Sequence, residues 1–292
     1  MKINQIIDNL ISYERGYWTQ DPTQPLGHDT GRDKVLYGEE HLNDECTGIV
    51  TTCWATSDVI EKAHKMGANL IIAHEALFWN HGDQQDWLKE SKNKTYLAKT
   101  KLLDEYKIVV RRDHDHLHSG IPKPGQPDTW VDGIFYGFAK ELGWEKYLKT
   151  DLGIPLYIDL PHPMTAREIG SHLINKLNLN GCRIEGDPDT CCQKLMIPQH
   201  NLGDAKDYIK TIDKKGIDCL LAMEMIDFTL AEYIRDSSML RQNRCLVQIG
   251  HFNTEEAGMK YMINWLPTAI KTDKIPMKFI QSGDMYHYIA ES

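Results

Sequence analysis

Seven short apolar runs punctuate the chain, at 46–53, 68–73, 107–112, 154–159, 193–197, 217–222 and 244–249. Stretches of helical periodicity lie between them, at about 57–66, 93–106, 128–142, 165–178, 203–215 and 227–236. Strands alternating with amphipathic helices form βαβ units, which require helices packed on the faces of a sheet. The expected class is therefore α/β, with sheets flanked by helices, in two α/β lobes or in one large domain with an inserted one. Helix starts are marked by Ser57 or Asp58 ahead of Val59-Ile60, and by Thr165 with Glu168 three residues on, a capping box. Residues 18–46 and 119–130 are polar and turn-rich and read as loops. The first is anchored by Trp18, Leu36 and Tyr37, and the second shapes a site mouth. A boundary near Thr150–Leu152 predicts an N-terminal lobe over 1–150 and a second over 151–292.

Composition narrows the partners. A formal charge of −9 with no run of Lys and Arg argues against nucleic acid, which needs a basic face. The N-terminal MKINQIIDNLISYERG places its apolar residues at helical spacing and lacks the continuous apolar core of a signal peptide. Nothing approaches the roughly 18 apolar residues of a membrane span. The seven cysteines are odd in number and include no C-x-x-C pair, so neither a disulfide framework nor a zinc ribbon is expected. Cys53, Cys219 and Cys245 sit in apolar runs and read as buried thiols, Cys191-Cys192 as structural, and the protein as cytoplasmic.

Three segments share one design, in which a strand ends and ligand-type side chains follow at once. Leu70–Ala73 leads to His74-Glu75. Ile108–Val110 leads through Arg111-Arg112 to Asp113-His114-Asp115-His116-Leu117-His118. Leu246–Gly250 leads to His251 and, four residues on, Glu255. In open α/β sheets functional groups collect beyond the carboxyl ends of strands, so the three clusters point to a common place. His251 and Glu255 lie on one face of a helical turn, as do His114 and His118, whereas His116 falls out of phase with them. Imidazole mixed with carboxylate suits Zn, Mn, Fe, Co or Ni rather than Ca or Mg. Glu224 also stands at a strand's carboxyl end. His200, between Gln199 and Asn201, reads equally as a pocket group or a helix lead-in, and His28, His41 and His81 read as background. There is no G-x-S-x-G elbow, P-loop or G-x-G-x-x-G. Arg111, Arg112 and Lys123 are the cations available for an anion.

These residues resemble the Nif-three-like family of dinuclear-metal, hexameric proteins, some of which carry the name GTP cyclohydrolase type 2 homologue. The likeness runs through GANLIIAHEALFW (67–79), HDHLH (114–118), LPHPMTAREI (160–169), GDPD (186–189) and, most specifically, GHFNTE (250–255). It implies metal ligands at His74, Glu75, His118, His251 and Glu255, with His114 close by. It also implies two interlinked lobes sharing the metal site and a homo-oligomer, a hexamer. Glu75 stands where the family usually has a second histidine, and His118 where it usually has a bridging aspartate.

Two functions follow as expectations. The first is a metal-dependent hydrolase in which two divalent ions activate water against a nucleotide-like or other small substrate, with His114 or Glu224 moving the proton. The resemblance adds purine-nucleotide ring opening as the reaction. The alternative is a non-catalytic metal-binding protein for storage, delivery or regulation.

Overall fold

The computed structural model describes residues 1–198, 200 and 203–289, so Gln199 and Asn201 lie outside the described residues. Its helices are α1 (Ile3–Tyr13), α2 (Ser57–Lys65), α3 (Asp86–Glu90), α4 (Lys94–Tyr106), α5 (Asp115–Ser119), α6 (Gly133–Leu142), α7 (Ala166–Leu177), α8 (Lys206–Lys215), α9 (Glu232–Met239) and α10 (His251–Ala269). Its strands are β1 (Val35–Tyr37), β2 (Ile49–Thr52), β3 (Leu70–Ala73), β4 (Val109–Arg112), β5 (Ile121–Lys123), β6 (Gln126–Val131), β7 (Leu156–Thr165), β8 (Arg183–Glu185), β9 (Cys191–Ile197), β10 (Cys219–Ala222), β11 (Cys245–Gln248) and β12 (Met277–Phe279). Two compact units result: Met1–Gly137 with Gly258–Ser282, and Phe138–Ala257 with Gly283–Ser292.

The first unit holds a mixed sheet in the order β1-β4-β3-β2-β12. Its middle strands are parallel, with Ile49 opposite Leu70 and Leu70 opposite Val109, while β1 runs antiparallel at one edge. Every residue of β2, β3 and β4 is buried, as befits parallel strands covered on both faces. On one face Val59, Ile60 and Ala63 of α2 and Tyr96 and Leu103 of α4 close over Val50, Ile71 and Val110. The second unit repeats the plan with β7-β9-β10-β11-β8, in which β9, β10 and β11 are parallel and both edge strands antiparallel. There Ile212 of α8, Ile234 of α9 and Leu230 pack on Met196, Leu220 and Leu246. Among the described residues no helix is long and apolar enough to cross a membrane.

Local signals mostly explain the element ends. Thr165 and Glu168 form the expected capping box: Glu168 N donates to Thr165 Oγ1 at 3.1 Å, and Thr165 N donates to Glu168 Oε2 at 2.7 Å. The cap of α2 is Thr56, one residue earlier than expected, whose hydroxyl accepts from Val59 N. The helix expected over 128–142 begins only at Gly133, because 126–131 pair with 121–123 as a hairpin. The loop expected over 18–46 likewise contains β1. The helix expected over 227–236 carries an irregular first turn, and α9 runs from Glu232 to Met239.

One buried cation yields a pH prediction. Lys99 is 3% exposed, its Nζ donates to Leu77 O at 2.8 Å, and it lies 5.6 Å from the Phe78 ring centroid. Burial pushes its ammonium down from the usual 10.5 to about 8. Between those values the unfolded chain binds more protons, so this residue's contribution to stability rises with pH across the window. Against Lys99→Met, the wild type should gain up to about 3 kcal/mol as pH rises from 7 to above 10. Urea unfolding of both proteins at each pH measures it, and a difference that stays flat with pH refutes it.

Candidate functional site

In the first unit β3 and β4 lie side by side, with Ala73 opposite Arg112, so the segments leaving their carboxyl ends start together. One carries His74-Glu75 and the other Asp113–His118. A ligand nitrogen from each of His74, His114 and His118 lies within 4.8 Å of the other two. The His74 and His114 rings stack at 4.5 Å between centroids, and His118 stands edge-on to both, at 5.0 and 4.8 Å.

The Nδ1 of each ring meets an acceptor, at 3.3 Å from Asp115 Oδ1 for His114 and closer for the other two. His74 Nδ1 pairs with Asp113 O at 3.0 Å, and His118 Nδ1 with Asp132 Oδ2 at 2.8 Å. A carbonyl or carboxylate on Nδ1 makes that nitrogen the proton carrier and leaves the Nε2 lone pair for a metal. Asp132 also accepts from Ile134 N and Phe135 N at 2.9 and 3.0 Å, which ties the ring's orientation to the first turn of α6. Burial, then the His114 and His118 rings, hold the His74 imidazole well below the ordinary histidine range. Burial and then His118 do the same to His114. Both are therefore neutral at pH 7, the form a metal binds.

Asp33 fixes the histidine-rich turn. Fully buried, it accepts from His114 N at 2.7 Å, and its Oδ2 pairs with His116 N and His116 Nδ1, both at 2.8 Å. Burial pushes the His116 imidazole down, but its bond to Asp33 and the Asp113 and Asp33 charges outweigh burial and raise it. His116 thus points away from the other two histidines, as its phase in the sequence implies. Glu14 is buried close to Asp113; burial first, and then the Asp113 charge, push its carboxyl well above the usual range.

The two arginines depart from expectation, and one of them engages Glu75. Arg112 is fully buried: its Nη2 donates to Glu75 Oε2 at 2.8 Å, Nε to His74 O at 3.0 Å and Nη1 to His81 O at 2.7 Å. Arg111, also buried, binds Asp29 Oδ1 and His28 O. Both arginines are committed to the protein, so they are not the anion-binding groups anticipated from their position. His28 and His41 pair with neighbouring aspartates at the surface. His81 Nε2 meets Arg32 Nη1, and its ring stands 6.2 Å from that of His114.

In the second unit β10 and β11 run parallel, with Ala222 opposite Gln248, and β9 flanks β10; beyond their carboxyl ends stand Glu224, His251 and His200 respectively. Glu224 Oε1 takes His200 Nδ1 at 2.6 Å and His251 Nδ1 at 3.1 Å, and the two rings stack at 4.7 Å. Their ligand atoms all fall within 4.8 Å. His251 Nε2 lies 3.0 Å from Glu255 Oε2, so the pair expected at i, i+4 does share one face of α10. Burial pushes the Glu224 carboxyl up, yet the bonds from His200 and His251 outweigh it and hold it down to about 2. At neutral pH it is an anchoring carboxylate. The glycine ahead of His251 is required, since Gly250 has φ +94° and a Cβ there would come within 2.9 Å of the Tyr286 ring. His200, ambiguous by sequence, is the one residue added to this group; its position just past a strand was the available signal.

The donor chemistry in each unit fits a borderline divalent ion such as Zn, Mn, Fe, Co or Ni: imidazoles backed by carbonyl or carboxylate, with the Glu224 and Glu255 carboxyl groups beside His251.

Comparison with known proteins agrees with the sequence likeness. The profile of the Duf34/NIF3 family (NGG1p interacting factor 3) matches residues 36–103 and 127–284. The intervening stretch contains Asp113–His118. A protein of Clostridium perfringens named GTP cyclohydrolase 1 type 2 homolog is 26% identical over 262 residues, covering 87% of each chain. Among solved structures, a Bacillus cereus protein related to NIF3 superposes over 100% of this chain and 99% of its own at 15% identity, with TM-score 0.65. A Staphylococcus aureus hypothetical protein does so over 99% of each chain at 17% identity and TM-score 0.64. At these identities the structures establish the shared fold.

Proposed function

The chain belongs to the Duf34/NIF3 family, and on that premise we propose that it is a metal-dependent hydrolase holding two divalent ions per chain, the dinuclear complement that the resemblance implies. The observation that carries the reading is the tautomer control: His74 and His118 both have Nδ1 tied to an acceptor, as a metal-ligating histidine does. His74, His118 and Glu75 in one unit, and His251 and Glu255 in the other, are the proposed ligands. His114, packed against His74 and His118 and held neutral by burial, joins them as a third imidazole rather than as the proton carrier. Glu75 gives one oxygen to Arg112, so its part is to hold the His74 segment as much as to bind.

Bound ions would supply Lewis acidity and lower the pKa of water. The protein's own residues then position and move protons. Glu224 stays ionised and orients His200 and His251. His200, half exposed and 2.6 Å from Glu224, is proposed as the proton carrier, because it is the accessible imidazole of a histidine–carboxylate pair. The substrate class proposed is a nucleotide or similar small molecule, taken from the name its curated relatives bear. The seven cysteines, none in a disulfide, suit a reducing compartment, which supports the cytoplasm. A homohexamer of 33.6 kDa chains completes the reading, and light scattering tests it directly.

Elemental analysis after chelator-free purification, beside a nucleotide and phosphoester screen, tests the function. About two metals per wild-type chain are expected under the two-metal arrangement, with substantial loss in His118→Ala, His114→Ala and His251→Ala. His200→Ala should keep its metal while losing about a hundredfold or more in kcat. Less than about one metal per wild-type chain would sink the proposal. Loaded protein that turns over nothing yet passes metal to an apo-acceptor would favour the storage or delivery alternative.

A further inference from the structure

The strands that end in His200, Glu224 and His251 begin in cysteines. Cys192 is the second residue of β9, Cys219 the first of β10 and Cys245 the first of β11. Cys219 and Cys245 are direct partners in parallel register. All three side chains are fully buried, and their sulfurs lie within 4.8 Å of one another, with Cys192 Sγ and Cys245 Sγ at 3.2 Å. The sheet of the second unit therefore carries a nitrogen-and-oxygen donor set at one end of its parallel strands and an all-sulfur set at the other.

We propose that Cys192, Cys219 and Cys245 form a trithiolate site for a soft monovalent ion of the Cu(I) class, separate from the histidine–carboxylate groups. The dimensions support it. Three sulfurs placed about 2.3 Å from a central ion stand about 4 Å apart in a trigonal plane. Cys192 Sγ and Cys245 Sγ at 3.2 Å stand about 0.8 Å closer than that, and no pair of the three is more than 4.8 Å apart, so the three sulfurs are already gathered to the scale of such a site. The donor set supports it too. Thiolates select soft ions, whereas Zn seeks a fourth ligand to complete a tetrahedron. The neighbouring carboxylate, Asp218, is engaged elsewhere, with Oδ2 accepting from Gln193 N and Lys194 N at 3.0 and 2.9 Å. Access is short, because Cys219 and Cys245 open their strands directly after half-buried Asp218 and Arg244, and Cys191 beside Cys192 is exposed. Each coordinating thiol would release its proton to solvent, and the ion changes no oxidation state.

The test is anaerobic titration of the full-length protein with Cu(I) supplied as its bicinchoninate complex. The wild type should withdraw one Cu(I) into an environment showing ultraviolet thiolate-to-copper charge transfer, a band histidine ligands do not give. Cys219→Ala and Cys245→Ala should lose the band and at least about tenfold in retention, as a lost ligand should cost no less than a lost supporting group. Cys191→Ser, which alters the exposed neighbour, should behave as wild type. Because the alanine variants may fail to fold, copper-edge X-ray absorption of the loaded wild type provides a second reading. A sulfur-only shell near 2.3 Å is expected. A nitrogen-containing shell, no charge-transfer band in the wild type, or a band that persists in both folded alanine variants overturns the proposal and leaves the three thiols as core packing. His251→Ala should not change the Cu(I) result, which keeps this site distinguishable from the proposed hydrolytic one.

Discussion

Arg112→Ala is expected to cost about 3–5 kcal/mol of folding stability, the range for removing one partner of a buried ion pair. The guanidinium is fully buried and serves three acceptors: the Glu75 carboxylate and the carbonyls of His74 and His81. Its loss takes the cation from a carboxylate that is 5% exposed and removes a donor from two backbone groups. Against a total stability of about 5–15 kcal/mol, that is a large fraction. Arg112→Lys should recover little, since an ammonium cannot reproduce the planar fork. Adding Glu75→Gln to Arg112→Ala should restore a measurable part, because the buried charge goes with it. Urea midpoints for the four proteins, at unchanged slope, report the result. A loss under about 1 kcal/mol in Arg112→Ala would mean that the pair is solvated after all.

Asp33→Ala is expected to have a comparable effect by another route. Its carboxylate holds the backbone of His114 and both the backbone and ring of His116, and charged hydrogen bonds are worth about 1.5–3 kcal/mol each. A loss of about 4 kcal/mol is expected, with weakened metal retention at His74, His114 and His118. Asp33 binds the His114 amide and the amide and ring of His116, so metal loss here would identify it as a positioning residue. The discriminating measurement is metal content of Asp33→Asn, which keeps the shape and one acceptor oxygen. Partial rescue supports the positioning role, while full metal content in Asp33→Ala refutes it.

How much of this was legible beforehand varies with physical cause. The strand cores of β2, β3, β4, β10 and β11 announced themselves because strands buried on both faces must be continuously apolar. Three-residue strands such as β1, β8 and β12 left too little pattern to see. Pro127 in the 126–131 strand also made that segment read as a loop leading into a helix. Among candidate site residues, His251 and Glu255 stood out by spacing beyond a strand end, and that i, i+4 pair is present in the structure; His118 and the His74-Glu75 pair were singled out only by the family resemblance. Asp33 was invisible, since a buried carboxylate in a turn-rich segment about 80 residues from its partners looks like any loop aspartate. Arg111 and Arg112 were misread for a related reason: a cation beyond a strand suits an anion site or an internal ion pair equally, and only burial separates them.

Asp132 joins two events that the sequence lists as separate. The same carboxylate that accepts the first amides of α6 also holds His118 in the tautomer suited to a metal. Nucleating that helical turn and arming that imidazole are thus one step in folding. A chain in which that turn has not formed presents His118 without its orienting partner, so under the ligand role proposed for His118 its hold on a metal would develop only as the turn forms.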